Sequence, residues 1–357
     1  MPRMYRDRVS RDRAEARHER LRAAVQLAAA ALFNGYAAGF AKGRIFTGKT
    51  KQFCVPVLNC YSCPGATGAC PIGSLQAVIG GAKHNFSFYV LGTLMLFGIV
   101  LGRLICGFLC PFGFLQDLLS KLPVMKLSVP KPIDKPLRYL KYAVLAVLVV
   151  LLPTFATNAF GVAPPYFCKY LCPAGTLEGG IPHLLGNEQL RTLAGALFHW
   201  KLGVLIVVLA GAVLIPRFFC RYLCPLGAIY SLFNRFSFYQ MSLDKDKCVS
   251  CKRCESVCPM AVDVRADING AECIRCGRCK AACPTGAIAS GFRPDGQSGE
   301  KVPRESDTNM RLKLGKDLRA DFSSGKEEDA GGLTPGEDDD AAWRKICRKD
   351  CRILVAY

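Results

Sequence analysis

Cys248, Cys251, Cys254 and Cys258, the last followed by Pro259, form a C-x2-C-x2-C-x3-C-P run, and Cys273, Cys276, Cys279, Cys283 and Pro284 repeat it. No other feature restricts the fold so tightly. Three closely spaced thiolates can wrap one corner set of a 4Fe-4S cube, while the fourth, carried past a Pro-directed turn, reaches the neighbouring cube. The spacing predicts one cluster on Cys248, Cys251, Cys254 and Cys283 and a second on Cys273, Cys276, Cys279 and Cys258. A zinc ribbon would use two C-x2-C pairs and leave half of these thiols unexplained. The short polar stretch from Met260 to Ala271 suits a small module that keeps two cubes close enough for fast electron exchange.

The rest of the chain has to place an apolar excess. Of its 357 residues 51% are hydrophobic, and the mean hydropathy is +0.20, more apolar than a soluble enzyme usually is. A chain this apolar with 20 cysteines is no small secreted disulfide scaffold. Four stretches, approximately Ala23 to Ala41, Phe86 to Leu101, Tyr142 to Thr157 and Leu202 to Ile215, approach the roughly 20 helical residues that cross a bilayer core. The second and fourth borrow flanking residues. Runs such as "YAVLAVLVVLLP" have no polar face, which favours membrane spans over buried core helices.

Basic residues give the orientation. Arg3, Arg6, Arg8, Arg11, Arg13, Arg17, Arg20 and Arg22 precede the first stretch, and Arg103, Lys121, Lys126, Lys131, Lys135, Arg138 and Lys141 lie between the second and third. Both segments belong inside. The connection from 158 to 200 carries only Lys169 and Arg191 and faces outward. Both termini are then cytoplasmic, in a multi-pass protein of a prokaryotic inner membrane. A cleaved signal peptide is the alternative for the first stretch, but its charged preamble is longer than usual. The formal net charge of +19, from 47 Lys+Arg against 28 Asp+Glu, suits membrane anchoring and anionic clusters, with no need for nucleic acid.

A second cysteine pattern recurs at Cys70-Pro-Ile-Gly, Cys110-Pro-Phe-Gly, Cys172-Pro-Ala-Gly and Cys224-Pro-Leu-Gly, with partners four residues earlier at Cys106, Cys168 and Cys220. The first copy has Ala66 there, preceded by Cys54, Cys60 and Cys63. Pro fits the first helical turn, so each motif cysteine is expected at an N-cap, where free N–H groups stabilise a thiolate. Topology sorts these thiols. Cys106, Cys110, Cys220 and Cys224 form a metal-ligating inner set at the membrane edge, and Cys54, Cys60, Cys63, Cys70, Cys168 and Cys172 an outer set. Disulfides and a cofactor role remain open for the outer six, and simple packing is the alternative for the inner four.

These motifs together resemble the NapH/NosR-type membrane ferredoxins. The resemblance covers about residues 20 to 290 and implies a membrane α-helical fold of four transmembrane helices followed by a C-terminal α+β two-cluster bacterial ferredoxin-like domain. The expected divisions are a basic cytoplasmic arm over 1–22, the membrane domain over 23–240, the ferredoxin domain over 241–290 and a charged, disordered tail over 291–357. "PTGAI" at 284–288 is the sequence that usually follows the second cysteine run. Such proteins act as electron conduits between the quinol pool or cytoplasmic donors and respiratory or maturation partners. The extra pair Cys168/Cys172 and the other outer cysteines depart from the pattern. Two rival functions remain: a copper reductase or assembly factor, since soft thiolates favour Cu(I), and a membrane redox sensor.

Lesser signals have plainer readings. Thr67, in "GAT", is read as a loop residue rather than a flavin attachment site. His199 could reach a quinone carbonyl, although Trp200 beside it is explained as an interfacial anchor. Asp117 and Glu178 are read as solvated helix-face residues, with proton relay as the alternative, and Asn34 as bonding a neighbouring helix. Cys347 and Cys351 repeat the four-residue spacing in the tail without the Pro-Gly turn. No nucleophile-base pair or nucleotide-binding glycine motif points to a self-contained enzyme.

Overall fold

The computed structural model describes residues 3–42, 44–81, 87–127, 129–156, 163–192 and 195–292. The tail from 293, with Cys347 and Cys351, lies outside the described residues. Met1–Phe292 form one compact unit.

A 31-residue helix, Arg3–Phe33, opens the chain and runs unbroken across the change from Arg-rich to Ala-rich sequence. Short helices then alternate with long ones. Pro71–Gly80, Pro111–Leu119 and Pro225–Phe233 each begin on the proline of a C-P-x-G motif, with the motif cysteine as N-cap. Proline already has the φ of a first turn and lacks the N–H that would go unpaired there. Each is only about 15 Å long at 1.5 Å per residue, too short to cross a bilayer, and each has its cysteine N-cap buried.

Among the described residues two helices are long and apolar enough to cross a membrane, Pro132–Phe155 and Ala196–Leu214, about 36 Å and 28 Å long. The expectation of four spans is therefore met by two. The N-terminal helix is charged in its first half, and Phe88–Leu101 has 14 residues, about 21 Å. It stops at Gly102 for a steric reason. Gly102 has φ +55°, and a Cβ there would meet Arg275 Nη1 and Asn234 Oδ1 at 2.9 Å. The tight turn lets the next helix, Leu104–Phe108, carry Cys106 under the ferredoxin segment.

The ferredoxin segment is α+β. Strand β1 (Tyr239–Leu243) pairs antiparallel with β2 (Ile288–Phe292), Leu243 opposite Ile288, and helical turns Arg253–Ser256 and Arg278–Ala282 lie between them. Met241, Val264, Ile288, Cys254 and Cys279 form its own small core. The larger core is continuous from the long apolar helices through Cys70, Cys106, Cys110, Cys172 and Cys224 to Ile274 and Cys276 of the second cysteine run.

Buried charge joins these parts. Asp117, 4% exposed, accepts from Arg217 Nε at 2.9 Å and Nη2 at 2.5 Å, from Arg22 Nη1 at 3.0 Å and from Gln26 at 3.3 Å. Arg22 and Arg278 both pair with Glu19. The N-terminal helix, a C-P-x-G helix, the segment before Cys220 and the ferredoxin helix are thus tied through two carboxylates, Asp117 and Glu19. A second tie is Glu272, paired with Arg103 at 3.1 Å and with Lys141. Asn234 donates to Gly270 O and Cys273 O at 2.7 and 3.0 Å. Asp117 is therefore no solvated helix-face residue: it is the counter-ion of two buried guanidiniums.

Burial would push the Asp117 carboxyl up, but Arg217 and then Arg22 hold it well below the usual carboxylate range. A depressed folded value contributes stability fully present above the unfolded value of about 3.9 and lost only as pH falls below it. Asp117→Ala leaves the buried Arg217 without its counter-charge and Arg22 with Glu19 alone, and should cost about 3–5 kcal/mol. In a thermal scan of the purified protein, Asp117→Ala should unfold well below wild type and Asp117→Asn in between. An unchanged midpoint for Asp117→Ala would refute the role.

Candidate iron-sulfur sites

Each predicted ferredoxin quartet lines its own cavity. Cys248, Cys251, Cys254 and Cys283 line one cavity with Leu243, Val249 and Ile288. Cys258, Cys273, Cys276 and Cys279 line the other with Met241, Met260 and Ile268. The backbone curls identically around both. Positive φ falls two and four residues after the first cysteine of each run, at Ser250 and Lys252 and at Arg275 and Gly277, and three residues after the last, at Ala261 and Gly286. Such turns aim successive N–H groups into a concavity, which suits an anionic, sulfur-rich group. Cationic Lys252 and Arg265 border the first cavity, and Arg275 and Arg278 the second. Among the described residues no three His, Cys, Asp or Glu side chains meet at the spacing of a single metal ion. The four-thiol donor set and the cationic, N–H-lined surroundings fit a 4Fe-4S cube.

The eighteen described cysteines are all free thiols. Cys106, Cys110, Cys220 and Cys224 come together: Cys224 lies within electrostatic reach of Cys220, Cys106 and Cys110. Burial pushes the Cys106 thiol up, and the Arg103 and Arg217 guanidiniums oppose that shift. Arg103 is wholly buried, and its Nε finds no oxygen or nitrogen partner. An N–H donor left over beside a thiol quartet is what cluster sulfur would use.

The remaining six thiols divide. Cys172 lies within electrostatic reach of Cys168, Cys60 and Cys70. Burial, the main cause, pushes the Cys60 and Cys168 thiols up to about 12. Cys63 instead donates to Asn34 Oδ1 at 3.7 Å, and Cys54 lies near Cys70 alone of the six.

The position six residues after each C-P cysteine was missed from the sequence, although the four copies align there. It holds Gln76, Gln116, Glu178 and Tyr230, and all four face the thiols. Gln116 Nε2 donates to Cys220 Sγ at 3.1 Å while its Oε1 accepts from Phe219 N at 3.0 Å. Gln76 does the same for Cys168 Sγ and Phe167 N, at 3.4 and 2.9 Å. Glu178 accepts from Cys60 N at 2.8 Å, so it too is no solvated residue, and burial raises its carboxyl to about 7. Tyr230 is fully buried and donates to Pro56 O at 2.9 Å. Burial first, then Cys106, Cys54, Cys110 and Cys70, push its phenol well up, which places it between the two thiol sets.

The lesser residues resolve simply. Asn34 donates to Ala30 O of its own helix, not to a neighbouring helix, at 3.2 Å, and Thr67 Oγ1 donates to Leu32 O and Phe33 O at 3.1 Å. His199 meets Gly195 O on its own helix, and Trp200 Nε1 donates to Tyr170 O at 3.1 Å.

The ferredoxin loop and the Cys106 set share one wall. A Cβ on Gly107 would lie 2.6 Å from Ile274 O and 3.6 Å from Cys276 Cα, so only glycine admits this approach. Arg103 spans the same boundary, donating to Ala271 O at 2.8 Å and to Cys220 O at 3.3 Å.

Comparison with known proteins agrees with this division. A 4Fe-4S dicluster domain model matches residues 240–284. A 4Fe-4S binding domain model matches three times, over 84–130, 143–186 and 197–240, one match for each C-x3-C-P pair. The uncharacterized protein MJ0750 of Methanocaldococcus jannaschii is 34% identical over 188 residues, 51% of this chain and 69% of its own length. Protein NirI of Paracoccus denitrificans is 30% identical over 214 residues, 56% of this chain and 29% of its own. The ferredoxin-type protein NapH of Haemophilus influenzae is 29% identical over 179 residues, 50% of this chain and 55% of its own. No solved structure matches. The paired cysteine runs, the three C-x3-C-P segments and these relatives make the chain a member of the NapH/NosR-type family of 4Fe-4S ferredoxins, proteins of iron-sulfur electron transport.

Proposed function

We propose that this protein is an integral membrane electron conduit, in which the two ferredoxin quartets and the Cys106 set are successive 4Fe-4S sites leading from the cytoplasm into the membrane domain. A 4Fe-4S cluster supplies a one-electron couple whose potential depends on the charge, hydrogen bonds and exposure around it. The observation that carries the reading is the shared wall at Gly107 and Arg103, which leaves no solvent layer between the second ferredoxin loop and the Cys106 set. Arg217 lies within electrostatic reach of both Cys220 and Cys276. One guanidinium therefore offsets negative charge on both sides of the step.

In this reading the N-terminal helix and Phe88–Leu101 complete four spans with flanking residues, both termini are cytoplasmic, and the Cys70 set faces outward. The terminal donor or acceptor is the quinol pool or a respiratory or maturation partner. Residue roles follow from position. Arg103 and Arg217 favour the thiolate form at the Cys106 set, and Gln116 fixes Cys220 through its sulfur and the preceding backbone N–H.

Anaerobic purification with iron and acid-labile sulfide analysis tests the third site. Cys106→Ser/Cys220→Ser should lose about four irons per chain while the ferredoxin EPR signals persist; unchanged iron would refute it, and stoichiometric copper would favour the metal-handling function. Gln116→Glu keeps the acceptor for Phe219 N but replaces the donor to Cys220 with a negative charge. Its iron content should match wild type, and one cluster midpoint should shift to lower potential in an EPR-monitored titration. Identical midpoints would mean that Gln116 does not touch a redox centre.

A further inference from the structure

We propose that Cys60, Cys70, Cys168 and Cys172 hold an additional 4Fe-4S cluster, in a site that an internal duplication has built on the plan of the Cys106 set. The inference rests on the reading of the Cys106 set as a cluster site, and it assigns to four of the six outer thiols a role that their spacing leaves open.

The two sites share a frame residue by residue. Cys70 corresponds to Cys110, and Gln76 and Gln116 follow each by six residues. "YFCKYLCPAG" at 166–175 corresponds to "FFCRYLCPLG" at 218–227. Each glutamine makes the same two bonds across to the paired segment, one to the cysteine sulfur and one from the backbone N–H of the phenylalanine before it. Each second motif closes alike, Gly175 N donating to Cys172 Sγ at 3.3 Å and Gly227 N to Cys224 Sγ at 3.4 Å. Three ligand positions of the Cys106 set therefore have a counterpart: Cys110 in Cys70, Cys220 in Cys168 and Cys224 in Cys172.

The fourth position is where the sequences part. Cys106 stands four residues before Cys110, and the residue four before Cys70 is Ala66. Cys60 takes the place from a different stretch of chain. A Cβ on Gly175 would lie 3.6 Å from Cys172 Sγ and 3.9 Å from Cys60 Sγ, and one on Gly73 would lie 3.9 Å from both Cys168 Sγ and Cys70 Cβ, so Cys60 approaches the Cys172 motif and Cys168 the Cys70 motif. Glu178 explains how Cys60 is held. It occupies the six-residue position of the third copy, and its carboxylate accepts from the Cys60 backbone N–H at 2.8 Å. A buried carboxylate spent on one backbone group is costly unless that group must stay fixed. Cys54 and Cys63 fall outside this frame, Cys63 being engaged with Asn34.

Iron and acid-labile sulfide per chain, measured on anaerobically purified full-length protein, separate this site from the Cys106 set. Wild type should carry about sixteen irons, Cys60→Ser/Cys172→Ser about twelve, Cys106→Ser/Cys220→Ser about twelve, and Cys54→Ser/Cys63→Ser about sixteen. A wild-type content of about twelve, falling only in the Cys106/Cys220 variant, would overturn this proposal and leave the other site standing. Loss of iron from the Cys60/Cys172 variant alone would support it and overturn the other. Thiol mapping of wild type guards against a variant that fails to fold. Cys60, Cys70, Cys168 and Cys172 should resist alkylation until the iron is removed and then all react. A disulfide among the four, or alkylation before iron removal, would overturn the proposal.

Discussion

Everything in this structure depends on the pairing of Asp117 with Arg217 and Arg22. Thiolate-ligated clusters carry negative charge, and a low-dielectric interior accepts such charge only beside fixed cations. Arginine suits the task because it stays protonated when buried and its planar fork binds several acceptors at once. Arg217 and Arg103 in turn need counter-charges. Asp117 meets that need on one side of the Cys106 set, and Glu272, paired with Arg103, meets it on the other. The same charges bind the ferredoxin segment to the helical region, so that docking and charge compensation beside the Cys106 thiols are one set of bonds.

The short helices follow from the same demand. A C-P-x-G helix that crossed the bilayer would leave its cysteine cap at a membrane face. Helices of nine or ten residues bring those caps into the interior, and at Cys224 the Gly227 N–H of the first turn donates to the sulfur. Tyr230, fully buried, lies within electrostatic reach of thiols of both sets.

The ferredoxin quartets were legible because their ligand spacing is local and the crossing of the fourth cysteine is part of the motif. The membrane region was legible only in outline. Hydropathy marks apolar stretches but does not reveal where a helix ends, and Gly102 cuts Phe88–Leu101 to 14 residues through a contact with Arg275 and Asn234 that lies far along the chain. Asp117 and Glu178 looked like ordinary polar positions because their partners, Arg217 and the Cys60 backbone, are distant in sequence. Gln76 and Gln116 bond to cysteines 92 and 104 residues away. Only their common offset from the C-P cysteine could have exposed them, and it gains meaning once the copies are known to pair first with third and second with fourth.

If the ferredoxin clusters continue into the helical region as one electrically connected series, EPR of the intact protein during stepwise anaerobic reduction should give a spin count above that of a two-cluster ferredoxin, with splitting and fast relaxation from magnetic coupling between the second ferredoxin cluster and a centre at the Cys106 set. A spectrum that integrates to two clusters alone, coupled only to each other, would contradict it.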